Sequence, residues 1–145
     1  DLIEVPGATG FVDTNYKGKA DAAISALKDH DLVFIHIEGP DEAGHNGNYT
    51  EKKKAVEMID KHIVGPVHRH LQKFDEYRIL VLPDHPTPIQ TKAHNSEPVP
   101  FAMNGTNVNG IIKAAFNENN AAKSGFKIDN GSELMEYFLK SGMNK

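Results

Sequence analysis

The chain has 145 residues, of which 39% are hydrophobic and 25% charged, enough apolar material for one soluble domain with a real core. Its net charge of −4 argues against general binding to nucleic acid or to anionic membranes. It has no cysteine, which excludes disulfides, thiolate ligands and a Cys nucleophile, and no apolar run approaches the roughly 20 residues that cross a bilayer.

The opening Asp1-Leu2-Ile3-Glu4-Val5 lacks an initiating Met and reads as the interior of a longer sequence. No signal peptide is visible, and a cytoplasmic location is expected. Residues 1–18 are rich in Gly, Thr, Asn and Asp, which is loop chemistry. Over Lys19–Lys28 the spacing of Ala20, Ala23, Ile24 and Leu27 predicts an amphipathic helix. Leu32-Val33-Phe34-Ile35-His36-Ile37 is β-branched and almost continuously apolar, the pattern of a central parallel strand buried on both faces. Thr50 is placed to cap the next helix, with Glu51 in its first turn. Apolar residues then recur at Ala55, Met58, Ile59, Ile63, Val67 and Leu71, and Gly65-Pro66 predicts a kink. Lys52-Lys53-Lys54, beside Glu51 and Glu57, reads as a solvated helix face.

Arg78–Leu82 reads as a second buried strand and residues 83–98 as a Pro-punctuated loop. Val99–Met103 reads as a short third strand, which Pro100 puts at an edge or deprives of one ladder bond. A short helical piece is expected over Gly110–Phe116, and a final helix over Ser132–Leu139 with Ser132 as its cap. Two buried strands separated by a helix argue for an α/β fold with a central, mostly parallel sheet flanked by helices.

In such sheets ligands bind beyond the carboxyl ends of the strands. Strand 32–37 runs into Glu38-Gly39-Pro40-Asp41-Glu42-Ala43-Gly44-His45, and strand 78–82 into Pro83-Asp84-His85-Pro86. Each end therefore delivers an Asp and a His to one edge. His94, just before the third strand, reaches that edge if the strand runs antiparallel to the others. Asp and His form a mixed oxygen and nitrogen donor set suited to Mn²⁺, Zn²⁺ or Co²⁺. Asp41 and His45 share one face if they lie on a helix; in a Gly-flanked loop they could wrap one ion. Asp84 and His85 could meet one ion at a turn or bridge two. Two ions about 3.5–4 Å apart would clamp a transferring phosphoryl group. His30, His36, His62, His68 and His70 read as structural or surface histidines, and Glu38 and Glu42 as structural. No Gly-x-Ser-x-Gly nucleophile elbow occurs.

Gly39–Gly47, Pro83–Pro88 and Ala93–Phe101 resemble the metal-binding motifs of the alkaline phosphatase superfamily. Within it they resemble the cofactor-independent phosphoglycerate mutases of the archaeal type. Val5–Gly10, Asp13–Tyr16, Lys19-Ala20, Phe116–Glu118 and Gly131–Met135 extend the resemblance over nearly the whole chain. The resemblance implies two divalent metal ions (Mn, Zn, Co or Mg), with Asp41, His45 and His94 on one and Asp84 and His85 on the other. It implies interconversion of 3-phosphoglycerate and 2-phosphoglycerate through a phosphoenzyme. Residues 1–145 then correspond to the C-terminal part of the phosphatase-like domain. The nucleophilic Ser or Thr, a further Asp and an inserted substrate-binding domain would lie upstream. By itself the chain is expected to fold, to lack mutase activity, and to bind metal weakly or at one site, with Asp41, His45 and His94 the better candidates. The alternatives are another phosphatase, phosphopentomutase-like or sulfatase-like member of the superfamily, and a non-catalytic metal-binding domain.

Overall fold

In the structure, a computed structural model that describes residues 1–140, Asn15 starts the first helix. Its side chain accepts a hydrogen bond of 2.9 Å from the Gly18 amide, satisfying one of the donors that a helix start leaves open. This helix, α1 (Tyr16–Ala26), belongs to the first of two compact units, formed by Asp1–Lys73 with Thr87–Asn95. The second unit comprises Phe74–Pro86 and Ser96 onward.

In the first unit, α1 buries a stripe of small residues, Ala20, Ala23 and Ala26, beneath Tyr16. Small side chains let it pack closely on residues 60–71, where Ile63, Val67 and Leu71 are buried. Burying each such aliphatic side chain contributes about 1.5–3 kcal/mol. Helix α2 (Gly39–His45) carries Pro40 in its first turn, where the missing N–H would have had no partner. Asp41 and Glu42 lie in that same turn, favoured by the positive end of the helix dipole. It packs against α3 (Tyr49–Ile59). Asn48, not Thr50, caps α3, its side chain accepting 3.1 Å from the Glu51 amide. The expected kink is a π-helical turn over Asp60–Val64 leading into α4 (Gly65–Leu71). There the Gly65 amide donates to Asp60 O, five residues back. The widened turn absorbs the hydrogen bond that Pro66 cannot make.

The parallel sheet expected around 32–37 does not form among the described residues. The segment forms no regular element and joins no ladder. Leu32, Phe34 and His36 are exposed while Val33, Ile35 and Ile37 are half-buried, so only one face is covered. The carbonyl of His36 accepts from Lys19 Nζ at 2.7 Å instead of from a neighbouring strand.

In the second unit, β1 (Arg78–Val81) pairs with β2 (Ala102–Gly105) in the antiparallel sense expected for the strand after His94. The register runs from Arg78 opposite Gly105 to Val81 opposite Ala102. Strand β2 starts later than Val99 because Pro98 and Pro100 have no amide to offer a ladder. Gly110–Phe116 forms no helix, and Ile111, Ile112 and Phe116 are exposed. Helix α5 (Glu118–Lys123) follows instead, started by Asn117, whose side chain accepts 2.9 Å from the Asn120 amide. A single 3₁₀ turn, Gly131–Glu133, leads into α6 (Leu134–Lys140). Arg78 Nη1 donates to the carbonyls of Phe138 and Leu139 at 2.7 and 2.8 Å, supplying charge where the helix end is electronegative. Phe101 meets Phe126 edge-on at a centroid distance of 6.0 Å, and Phe126 meets Tyr137 at a tilt at 5.4 Å.

Candidate metal centre

Because residues 39–45 are helical, Asp41 and His45 stand one turn apart on one face of α2. His94 comes to them from the Thr87–Asn95 segment of the same unit. His45 Nε2 lies 3.2 Å from Asp41 Oδ2, His94 Nε2 lies 3.3 Å from Asp41 Oδ1, and the two Nε2 atoms are 3.0 Å apart. Two ligand atoms each about 2.05 Å from a tetrahedral cation stand about 3.3 Å apart. The contact of each imidazole with its own carboxylate oxygen, Oδ2 for His45 and Oδ1 for His94, and the contact between the imidazoles are all of that size, and one ligand atom from each of the three residues lies within 4.8 Å of the other two. The Asp41 side chain is 21% exposed and that of His94 52%, so the cluster is rooted in the fold and open on one side.

The protons of this cluster follow from its partners. His45 Nδ1 lies 3.0 Å from the carbonyl of Lys92. A carbonyl only accepts, so Nδ1 donates, and in the neutral ring the lone pair is on Nε2. That lone pair faces a carboxylate and a second imidazole nitrogen. A carboxylate and two imidazole nitrogens grouped in this way are a donor set able to hold a cation, and a His whose other nitrogen is fixed by a backbone carbonyl is the usual arrangement of a metal ligand. The Lys92 carbonyl is presented by a turn in which the amides of Thr91 and Lys92 both donate to Pro88 O. Lys92 itself takes a left-handed conformation, φ 53°.

Asp41 is held from its other side. The hydroxyl of Thr87, a buried residue, donates to Asp41 Oδ1, and the carbonyl of Thr87 accepts from Lys52 Nζ at 2.5 Å. The solvated reading of Lys52-Lys53-Lys54 thus fits Lys53, which is exposed beside Glu57, and fails for Lys52. The signal was present in the sequence: Lys52 lies three residues before Ala55, the buried residue of α3. Glu38 and Glu42 also bring carboxylate oxygens within 4.8 Å of each other and of Asp41.

Asp84 and His85 lie in the second unit, just past β1. The Asp84 carboxylate accepts from the His85 amide at 3.1 Å, and its Oδ2 is 3.5 Å from His85 Nε2. Among the other histidines, His30 meets Asp1 at 2.9 Å and His36 lies 3.8 Å from Glu38. Among the described residues, no helix is long and apolar enough to cross a membrane.

The chain is similar to known proteins along most of its length. It is 51% identical over 143 residues to the 2,3-bisphosphoglycerate-independent phosphoglycerate mutase of Methanosarcina barkeri, covering 97% of this chain and 36% of that protein. It is 47% identical over 140 residues to a probable mutase of the same description from Geobacter sulfurreducens, covering 96% of this chain and 35% of the other. A solved structure of a Pyrococcus horikoshii protein superposes with a TM-score of 0.74 at 33% identity, over 85% of this chain and 32% of that one. The chain thus spans about a third of the length of the relatives it matches. The family model of the Metalloenzyme superfamily matches residues 1–141, and the chain belongs to that superfamily.

Proposed function

We propose that this chain is the metal-holding portion of a cofactor-independent phosphoglycerate mutase, an isomerase that interconverts 3-phosphoglycerate and 2-phosphoglycerate. The observation that carries the reading is the grouping of the Asp41 carboxylate with the Nε2 atoms of His45 and His94, at contacts of 3.0–3.3 Å. Two imidazoles and one carboxylate suit Mn²⁺, Zn²⁺ or Co²⁺ better than an all-oxygen ion site would. Asp84 and His85 are assigned to a second divalent ion on the strength of their motif. When bound, such ions supply positive charge to a phosphoryl group and lower the pKa of a hydroxyl nucleophile. This chain's residues orient the ligands: Lys92 fixes the tautomer of His45, and α2 fixes the spacing of Asp41 and His45. On this reading the nucleophile and most substrate contacts are expected in the part of the relatives' length that residues 1–145 do not span.

The same reading gives Leu32–Ile37 its role as a strand of a mostly parallel sheet, with neighbours expected in that same part of the relatives' length. Its period-2 exposure supports this, because alternation of half-buried and exposed residues is the burial pattern of a strand. A cytoplasmic location fits a phosphoglycerate substrate.

The test is a Co²⁺ titration of this chain, followed by the visible absorption of the bound ion. The expected result is one ion bound per chain. His94→Ala, which removes one of the three side chains, should weaken binding more than about 100-fold, beyond the 10–100-fold typical of outer-sphere changes. In a longer protein containing this chain, the same substitution should abolish turnover of phosphoglycerate. Unchanged Co²⁺ affinity, or normal turnover after His94→Ala, would reject the assignment. Turnover of generic phosphate esters in preference to phosphoglycerates would favour a phosphatase instead.

A further inference from the structure

We propose that Thr87 is a positioning residue for the metal centre and that Lys52 clamps it in place, an inference that rests on the metal reading of Asp41, His45 and His94. Thr87 is 4% exposed, and its hydroxyl donates to Asp41 Oδ1 while its own carbonyl accepts from Lys52 Nζ at 2.5 Å. The two bonds act at opposite ends of the residue. Lys52 fixes the backbone from α3, and the hydroxyl fixes the carboxylate on α2. The space for this crossing exists because residue 44 is glycine: a Cβ there would stand 2.6 Å from the Thr87 carbonyl oxygen and 2.8 Å from Lys52 Nζ.

Asp41 has both oxygens turned toward the imidazoles, Oδ2 to His45 and Oδ1 to His94. A carboxylate on a freely rotating χ2 would lose that alignment. The Thr87 hydroxyl occupies one acceptor position of Oδ1, and its β-branched side chain has few rotamers, so the carboxylate plane is set before an ion arrives. The Thr87–Asn95 segment then does three things for one site. Thr87 orients Asp41, the Lys92 carbonyl orients His45, and His94 supplies the third ligand. In this arrangement the affinity of the ion depends on a residue outside its own ligand set.

The experiment is Co²⁺ titration of this chain carrying Thr87→Val, Thr87→Ser or Lys52→Met, beside the unaltered chain and His94→Ala, with melting of each metal-free variant. Thr87→Val keeps the shape and removes the donor, so affinity should fall roughly 10–100-fold, with an altered absorption spectrum of the bound ion. Thr87→Ser should restore both, and Lys52→Met should weaken binding in the same direction by less. Equal affinity for Thr87→Val and the unaltered chain, with His94→Ala still deficient, would overturn the inference and leave the metal reading standing. A lowered melting temperature in Thr87→Val with unchanged affinity would mean a purely structural role and would also overturn it. Should Thr87→Val fail to fold, Lys52→Met decides, and unchanged affinity there counts against the proposal. No Co²⁺ binding by the unaltered chain removes the metal reading and this inference together.

Discussion

A neutral imidazole carries one ring proton, and its location decides what His45 can do. With Nδ1 donating to Lys92 O, the lone pair of Nε2 is committed to the cluster with Asp41 and His94. Another residue illustrates burial acting on a titrating group. Tyr16 is 4% exposed and its hydroxyl donates to Val12 O at 2.9 Å. Burial, and secondarily the nearby Asp13 carboxylate, push its pKa above the ordinary phenol value. Below about pH 10 the tyrosine is neutral both folded and unfolded. Above it the unfolded chain ionises first, so the stability Tyr16 contributes is lost as pH rises through the raised value. Tyr16→Phe should therefore flatten the loss of stability above about pH 10 and cost about 1 kcal/mol near neutrality, the net value of a typical hydrogen bond. Urea unfolding measured across that pH range checks both statements, and an unchanged alkaline slope would contradict them.

At the scale of elements, the site depends on how closely the Thr87–Asn95 segment crosses α2. Alanine at position 44 would gain up to about 1 kcal/mol in helix propensity. Its Cβ would meet the backbone of Thr87 at 2.6 Å, and overpacking of that kind costs about 1–3 kcal/mol. The second effect is the larger, so Gly44→Ala should lower stability in urea and weaken metal binding together. A stabilised variant with full affinity would show that the crossing is looser than described. Helices α1, α3 and α4 were readable from the sequence because their signals are local. The apolar spacing gave α1, α3 and α4, and Gly65-Pro66 marked the place where the helix widens into a π turn. Caps were less readable, since Asn48 and Thr50 have similar chemistry and only the backbone geometry chooses between them. Gly110–Phe116 misled because its apolar residues lack a start signal, whereas Asn117 provides one a few residues later. Lys52 was misassigned because a run of lysines looks solvated as a group, although one member of the run faces inward.

At the scale of the molecule, the sequence pattern of 32–37 describes a strand covered on both sides, and here one side is open, with Phe34 78% exposed. Strand pairing is non-local, so an apolar run such as 32–37 signals the strand pattern without naming the partners that would pair with it. The proximity of Asp41, His45 and His94 was legible because the Asp41-x-x-x-His45 spacing and the His94 motif each carry their own geometry, and both fall within one compact unit. The central claim is that these three side chains form the corners of a cation site. Diffraction from crystals of this chain grown with Mn²⁺, collected for the anomalous signal of manganese, measures this directly. A peak about 2.0–2.3 Å from Asp41 Oδ, His45 Nε2 and His94 Nε2 is the predicted result. Saturating Mn²⁺ with no peak there, or with the three side chains turned apart, would contradict it.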